Sequence, residues 1–498
     1  MKRFAVTVAL FVLAVPLFAQ RYDDSITVNV VEVPVYVDRF GVPVDGLTRD
    51  DFELFVNGKP QPIDYFDVIE ERTSEGMPTE AASAPPELKR RRLVVLLFDI
   101  SGSTVYPLHR ARKFAMKYVA ESPAGDTYAV ATIGRAGVRF VVPFTTDRVA
   151  VTRAIGTLST SRAADPFSVA TLDVERSVWG EGPAGGVTPR GWFPDATDVA
   201  RALRQEADSE EQFLEQWLFT DDLADLADQL APLSGIKHVV LLSERREIRD
   251  PRSMIEPAAR VHERYRAAGV ILDGIDIRLP RVPGGTASEA QAPRERPDVM
   301  LSNFLYSLAL DTGGAVDASL QGLQDRNRVA YLLGFQPPRT QKETNSVRVR
   351  LKNRRLFTEV RYRQSYTIGA PESKDDWLFL ADTLLNDIPQ RGLTLDLDMQ
   401  GTSLVATIPG MELLSYPDDA PLLLDVYLYV FDEQDQPAAW KHVRVEVDLA
   451  GGREFLSGNP YTLRQDFKLP PGRYAAKAIV RVVSSGSAGF SREDFVAP

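Results

Sequence analysis

Three oxygen-bearing side chains stand at alternate positions where a strongly apolar segment ends. Residues 93–98 read Leu-Val-Val-Leu-Leu-Phe, and Asp99, Ser101 and Ser103 follow directly. A small hard cation such as Mg2+ prefers oxygen ligands in octahedral array and keeps several waters. One carboxylate and two hydroxyls in a single loop are suited to part of that shell, and neutral hydroxyls leave the cation electrophilic. The spacing therefore predicts a divalent metal site that can grip an acidic side chain of a partner.

The same residues also fit a purely structural role. Ser103 or Thr104 can be the N-cap of the helix that follows, because serine and threonine hydroxyls accept hydrogen bonds from unpaired backbone N–H groups at a helix start. Asp-x-Ser-x-Ser is short, and by itself it does not distinguish a metal-binding loop from a helix cap. The decision rests on what else lies at the same edge of the fold.

The surrounding elements place a second acidic residue at that edge. The apolar run 93–98 is typical of a strand buried on both faces, and apolar strands then alternate with amphipathic helices to about residue 320. This order predicts a parallel sheet covered by helices on both faces, where ligands bind beyond the carboxyl ends of the strands. Glu244 ends another apolar segment, so we expect Asp99 and Glu244 to share one edge.

Composition excludes several kinds of site. The chain has 498 residues, a formal net charge of −11, no cysteine and four histidines far apart in sequence. The charge argues against nucleic acid as a partner, and the missing cysteines exclude disulfides, thiolate metal sites and cysteine nucleophiles. We find neither a Gly-x-Ser-x-Gly elbow nor a phosphate-binding glycine loop, so we expect no enzymatic activity.

The first twenty residues have the order of a secretory signal. Lys2 and Arg3 precede an apolar run from Phe4 to Val15, and the small residue Ala19 follows. The run is shorter than the roughly 20 apolar residues that a transmembrane helix needs. We therefore expect cleavage near residue 20, export to the periplasm or the exterior, and no membrane span afterwards.

Patterning divides the rest of the chain into α/β and β parts. Period-two alternation with glycine and proline turns on both sides of the α/β region predicts strands, and we expect segment 21–70 to pair with 328–366. The predicted parts are a signal peptide (1–20), a β segment (21–70), a linker (71–92), an α/β domain with an insertion at 158–196 (93–327), β strands (328–366), a helical linker (367–390) and a C-terminal β-sandwich (391–498).

The motifs together resemble a known family. "VLLFDISGS" is similar to the metal-ion-dependent adhesion site of von Willebrand factor type A domains, and much of residues 25–366 resembles the secreted bacterial proteins termed VWFA-related. The segments that carry this wider resemblance are "VEVPVYVDRFGVPVDGLTRDDFELFVNGKPQPIDYF", "LAPLSGIKHVVLLSE", "LALDTGGAV" and "RVAYLLGFQPP". The resemblance implies a Rossmann-like type A domain with a parallel-rich sheet. The flanking β-sandwich domains are expected from the strand patterning, and the C-terminal sandwich lies outside the resemblance.

The resemblance also implies a ligand set. Ser101 and Ser103 would bind Mg2+ (or Mn2+ or Ca2+) directly, and Asp99 would act largely through water. Thr197 is the best match for the threonine of a second loop, with Thr188 a weaker one. Glu244 stands where the family has an aspartate, and Arg245 replaces its glycine.

Three functions remain open on these observations. The first is an exported, non-enzymatic protein-binding or adhesion-type module that holds a partner carboxylate through the metal. The second is a scaffold or assembly protein with a degenerate metal site, associating through its β-domains or the 158–196 insertion. The third is an exported hydrolase, for which the sequence nominates no residues.

Overall fold

The computed structural model describes the chain in twelve stretches: 30–70, 91–101, 103–122, 125–159, 217–244, 255–277, 301–317, 319–337, 344–353, 355–367, 377–390 and 392–497. The predicted signal peptide, nearly all of the linker 71–92, the insertion beyond residue 159 and Thr197 lie outside these residues. Within them, no helix combines the length and apolarity needed to cross a membrane.

A six-stranded mixed sheet forms the centre of the α/β domain. Its strands are β6 (Arg92–Asp99), β7 (Asp126–Gly134), β8 (Gly137–Thr145), β9 (Ile236–Ser243), β10 (Val270–Asp276) and β11 (Val316–Asp317). The spatial order is β11-β10-β9-β6-β7-β8, and only β8 runs antiparallel to its neighbour. The parallel strands therefore end at one edge, as the alternation of strands and helices predicts.

Both faces of this sheet are buried under helices. In β6, alternate side chains from Leu93 to Leu97 enter one hydrophobic cluster, and those from Val94 to Phe98 enter another. A strand between two helical layers has no solvent face, which explains why its sequence is apolar throughout. The helices are α1 (Val105–Glu121), α2 (Arg148–Thr157), α3 (217–230), α4 (Ile255–Ala268), α5 (Leu301–Thr312) and α6 (Leu320–Asn327).

The segments on either side of the α/β domain form a second body of antiparallel strands. One sheet has the order β14-β1-β12-β5, with β2 beside β1, and the other has the order β15-β13-β3-β4. Strands from residues 31–70 thus pair with strands from residues 329–367, and a shared hydrophobic core lies among them. Their bounds are β1 (Val31–Arg39), β2 (Val42–Pro43), β3 (Phe52–Val56), β4 (Lys59–Gln61), β5 (Tyr65–Glu70), β12 (Val329–Phe335), β13 (Thr344–Leu351), β14 (Thr358–Tyr362) and β15 (Ser365–Thr367).

Turns and helix ends follow the conformational preferences of their residues. Asn57 and Gly58 both have positive φ (51° and 77°) in the two-residue turn that joins β3 to β4. Asp147 caps α2, because its carboxylate accepts hydrogen bonds from the N–H groups of Val149 and Ala150. Gly313 follows α5 with φ of 87°, the conformation that ends a helix at glycine.

The C-terminal part has two antiparallel sheets around one core. The sheets have the orders β16-β17-β20 and β19-β18-β21-β22. Helix α7 (Trp377–Asn386) precedes them, and Leu378 and Leu384 join the hydrophobic cluster of the α/β domain. The remaining elements are β16 (Asp396–Gln400), β17 (Ser403–Ile408), α8 (Gly410–Leu413), β18 (Leu422–Phe431), β19 (Pro437–Val447), α9 (Leu449–Gly458), β20 (Tyr461–Asp466), β21 (Gly472–Val482) and β22 (Ala488–Ala497).

A buried polar chain ties the flanking β-domain to the central sheet. Hydrogen bonds join Tyr36 Oη to His238 Nε2 (2.8 Å) and His238 Nδ1 to Asp273 Oδ2 (2.7 Å). Asn327 Nδ2 donates to the same carboxylate, and the backbone N–H of Ala315 donates to Asp273 Oδ1 at 2.9 Å. Asp273 therefore lies where the two bodies are joined, and its carboxylate is hydrogen-bonded to His238, Asn327 and Ala315.

Candidate functional site

Two neighbouring parallel strands bring the predicted carboxylates together. Strands β6 and β9 pair in register from Arg92 with Ile236 to Phe98 with Leu242, so they end side by side. Ser243 Oγ donates a hydrogen bond to Asp99 Oδ2 at 2.7 Å, and Glu244 is the next residue. The prediction that Asp99 and Glu244 share one edge of the sheet is therefore confirmed.

Hydroxyl groups surround the Asp99 carboxylate. Ser101 Oγ donates a hydrogen bond to Asp99 Oδ1 at 3.2 Å, and Ser243 Oγ donates to Asp99 Oδ2. Ser103 lies beside Glu244, and its Oγ accepts a hydrogen bond from the Glu244 backbone N–H at 3.3 Å. Asp99 and Ser103 have no solvent-exposed surface, whereas Ser101 is half-buried. Four of the five sequence-predicted site residues, Glu244 included, thus form one cluster.

Glu244 also completes the start of helix α1. Thr104 is the N-cap residue, but its own hydroxyl makes no capping bond to the helix backbone. Instead, the Thr104 N–H and hydroxyl both donate to Glu244 Oε2, at 2.8 and 2.7 Å. A carboxylate at this position complements the partial positive charge of the helix N-terminus. Thr104 therefore occupies the N-cap position that the sequence suggested, but its hydroxyl does not accept from the helix backbone; Glu244, directly after strand β9, accepts from Thr104 instead.

Replacing Glu244 by glutamine is expected to lower the free energy of unfolding by about 0.5–1 kcal/mol, because an amide oxygen keeps one acceptor but loses the charge that faces the helix start. Urea denaturation followed by circular dichroism, in buffer with chelator, measures this difference. Glu433→Gln in an exposed turn is the control, with no expected change. Equal stability of the Glu244→Gln variant and the unmodified chain would contradict the capping role.

The donor set fits a hard divalent cation. All of the clustered groups offer oxygen, from two carboxylates and from the hydroxyls of Ser101 and Ser103, and oxygen is what Mg2+ and Ca2+ prefer. A hydroxyl that donates its proton to a carboxylate can still use its oxygen as a ligand. Across the described ranges, no group of three or more His, Cys, Asp or Glu side chains is placed to hold a metal ion. A cation at this edge would therefore depend on the serine hydroxyls, as the Asp-x-Ser-x-Ser pattern requires.

Two contributors were not among the predicted site residues. Ser243 and Thr104 each bond directly to a clustered carboxylate. The sequence could have indicated both residues, because Ser243 is the last residue of β9 and Thr104 immediately follows the serine motif. Thr188, Thr197 and Arg245 lie outside the described residues, so the ligand roles that the resemblance implies for the two threonines remain predictions.

Comparisons with known proteins give distant similarities only. No protein-family model matches the chain, and no curated protein matches it. Among solved structures, the VWA domain of SpRpn10 is 11% identical with a TM-score of 0.21, and the match covers 48% of this chain and 94% of that one. The ArnB paralog VWA2 from Sulfolobus acidocaldarius is 9% identical with a TM-score of 0.21, covering 89% and 75%.

A third similar structure is a receptor chain. The alpha chain of the chicken interferon gamma receptor is 10% identical with a TM-score of 0.16, covering 31% of this chain and 65% of the receptor chain, slightly less than two thirds of it. Two of these three structures are VWA domains, but all scores are too low to carry an argument about this chain. The strand order and the site define it instead as a mixed α/β domain with a carboxylate–hydroxyl cluster at its sheet edge, joined to antiparallel β-sheets.

Proposed function

We propose that this chain is an exported, non-enzymatic protein-binding module of the von Willebrand factor type A kind, and that it binds a partner carboxylate through a divalent metal ion. The observation that carries the proposal is the convergence of Asp99, Ser101, Ser103 and Glu244 from two separate strand ends. Export rests on the charged and apolar order of residues 1–20, and the family on the DISGS motif and the order of the elements.

The chemistry of the cluster supports a site that is completed by a ligand from outside. Hydroxyl ligands are neutral, so a Mg2+ ion held by Ser101 and Ser103 keeps most of its charge and attracts a further carboxylate. The N-terminus of α1 lies at the same place, and its partial positive charge also favours an incoming anion.

Titration of Mg2+ into the full chain, followed by isothermal calorimetry, tests the metal. We expect saturable binding heat from the unmodified protein and none from Ser101→Ala, because that variant loses a hydroxyl ligand without disturbing the buried Asp99–Ser243 bond. Ser457→Ala, in helix α9, is the matched control and should bind like the unmodified chain. Circular dichroism confirms that each variant is folded. An unmodified chain that gives no binding heat would contradict the metal site.

The second candidate is a scaffold or assembly protein whose metal site is degenerate. It is favoured by the bonds that Glu244 makes to Thr104, because a carboxylate engaged in helix capping is already satisfied by the protein. Capture of the partner from cell extract in the presence and absence of chelator separates the two functions. Partner binding that chelator does not weaken supports the scaffold, and binding that chelator abolishes supports the metal-dependent module.

A further inference from the structure

We propose that a cavity between the flanking β-domain and the α/β domain binds a small organic anion with an apolar body. The cavity has a volume of about 670 Å3 and lies where strands β9 and β10 begin, at the opposite edge of the sheet from Asp99. The end of helix α4 and strands β1, β12 and β15 contribute to its other walls. We call it the basal cavity, and define it by Glu32, Lys237, Tyr265, Arg266, Arg363 and Tyr366.

Cations outnumber anions among the residues that line the basal cavity. The lining contains three basic residues, Lys237, Arg266 and Arg363, and one acidic residue, Glu32. Arg266 is paired with Asp311, which is not part of the lining, at 3.1 Å. Lys237 is 7% exposed and its Nζ donates only to a neutral group, the Ala231 carbonyl, at 3.2 Å. No carboxylate in the described part of the chain forms an ion pair with Arg363 or Lys237.

Without a bound ligand, burial disfavours the charged forms of Lys237 and Arg363. Burial lowers the pKa of Lys237 to about 7, and the nearby Arg363 charge contributes to the shift. Burial likewise lowers the pKa of Arg363 to about 10. Two neighbouring cations without a buried counter-charge are costly, and one anion bound between them would offset the cost for both.

The remaining lining has the composition of a ligand pocket. The hydroxyls of Tyr265, Tyr366 and Thr367 are buried, and none has a hydrogen-bond partner among the described residues. Apolar side chains such as Val31 and Leu332 complete the walls. The volume is typical of a small-molecule site, and polar groups share the lining with apolar side chains. An anionic head with an apolar body matches this combination.

Benzenesulfonate and benzenesulfonamide are matched probes for calorimetry on the full chain in buffer with chelator. The sulfonate carries the same ring and a permanent negative charge, whereas the sulfonamide is neutral. We expect the sulfonate to bind at least about tenfold more tightly, and Lys237→Met and Arg363→Met each to weaken sulfonate binding by at least about tenfold. Lys468→Met and Arg473→Met change exposed cations of the C-terminal part and should leave binding unchanged.

Thermal unfolding supplies a second readout. Without a probe, Lys237→Met should unfold at the same temperature as the unmodified chain or higher, because it removes an uncompensated buried charge. Benzenesulfonate should raise the midpoint of the unmodified chain but not that of Lys237→Met. Three results would each overturn the proposal. They are equal affinity of the unmodified chain for both probes, sulfonate binding by both cavity variants that is as tight as that of the unmodified chain, and no sulfonate binding by the unmodified chain. Because chelator is present throughout, these outcomes are independent of the metal site.

Discussion

Replacing Gly314 by alanine is expected to lower the free energy of unfolding of the α/β domain by about 3 kcal/mol or more, a large share of the roughly 5–15 kcal/mol that stabilises a typical domain. A Cβ atom at this position would lie 1.9 Å from the Leu272 carbonyl oxygen and 2.7 Å from its carbon. These are backbone atoms of β10, so no side-chain rotation can relieve the clash.

The surrounding hydrogen bonds keep the two backbones close together. The Gly314 N–H donates to the Ala309 carbonyl, and the Ala315 N–H donates to the Asp273 carboxylate. On the other side, Thr312 Oγ1 accepts from the Leu272 N–H at 3.1 Å. Any shift that accommodates a methyl group would break several of these buried bonds, and each unpaired group costs about 1–3 kcal/mol.

Urea denaturation of the full chain, followed by circular dichroism and tryptophan fluorescence, measures the loss at Gly314. Gly156→Ala is the matched control, since Gly156 lies in helix α2 and its added Cβ would meet only Met116 Cε, at 4.0 Å. That variant should be as stable as the unmodified chain, or more stable by up to about 1 kcal/mol, because alanine favours helix. If the Gly314→Ala variant has the same urea midpoint as the unmodified chain, then the backbone at Gly314 is not held against β10 as closely as the structure shows.

Asp273→Ala is expected to cost about 3–5 kcal/mol, the loss typical of removing one partner from a buried charged network. The substitution leaves His238 Nδ1, Asn327 Nδ2 and the Ala315 N–H without their common acceptor. Asp273 has no exposed surface, so water cannot replace the carboxylate without opening the interface. The consequence extends to the flanking β-domain, because Tyr36 reaches this network through His238.

Chemical denaturation again measures this effect, with Asp419→Ala at an exposed position as the control. Asp273→Ala combined with Tyr36→Phe forms a double-mutant cycle across the interface. We expect the two losses to be less than additive, because the first substitution already disrupts the hydrogen bond that the second removes. Strict additivity would mean that the carboxylate stabilises only its own strand, and that the chain from Tyr36 to Asp273 does not act as a unit.

The structure explains a motif that the sequence brought forward only through resemblance. In "LALDTGGAV", Gly313 ends helix α5 with positive φ, and its Cβ would lie 2.7 Å from the Tyr362 carbonyl carbon. Gly314 approaches β10 on the other side. The glycine pair therefore permits one turn to touch both the central sheet and the flanking β-domain, which is a packing role rather than a chemical one.

Burial patterns made much of the fold predictable. Residues 93–98 are apolar at every position because both faces of β6 are covered, and this pattern alone assigns them to a central strand. The carboxyl ends of parallel strands meet at one edge, so the proximity of Asp99 and Glu244 followed from the same pattern. Asn57-Gly58 and Asp147 were equally predictable, because turn and cap preferences depend on a few neighbouring residues.

The details of the site required the tertiary structure. The sequence offered Ser103 and Thr104 as helix caps, but it could not show that Glu244 supplies the capping oxygen, because that contact joins residues 140 positions apart. Nor could it show that Ser243 joins Ser101 as a donor to Asp99, because that contact depends on the register of β6 with β9. Metal binding and export remain predictions that rest on residue types and on the order of the motifs.

The basal cavity and the buried chain through His238 were decided by tertiary structure alone. Tyr36 and His238 are 202 residues apart and belong to different bodies, and no local pattern marks either residue. Lys237 and Arg363 are likewise ordinary cations in the sequence, and only the packing of the β-domain against the sheet buries them together. Periodicity reports which face of each element is buried, whereas the position of one sheet on another depends on contacts between distant segments. The sequence by itself therefore determined the elements and the edge that carries the site, and the tertiary structure decided which charges line one cavity.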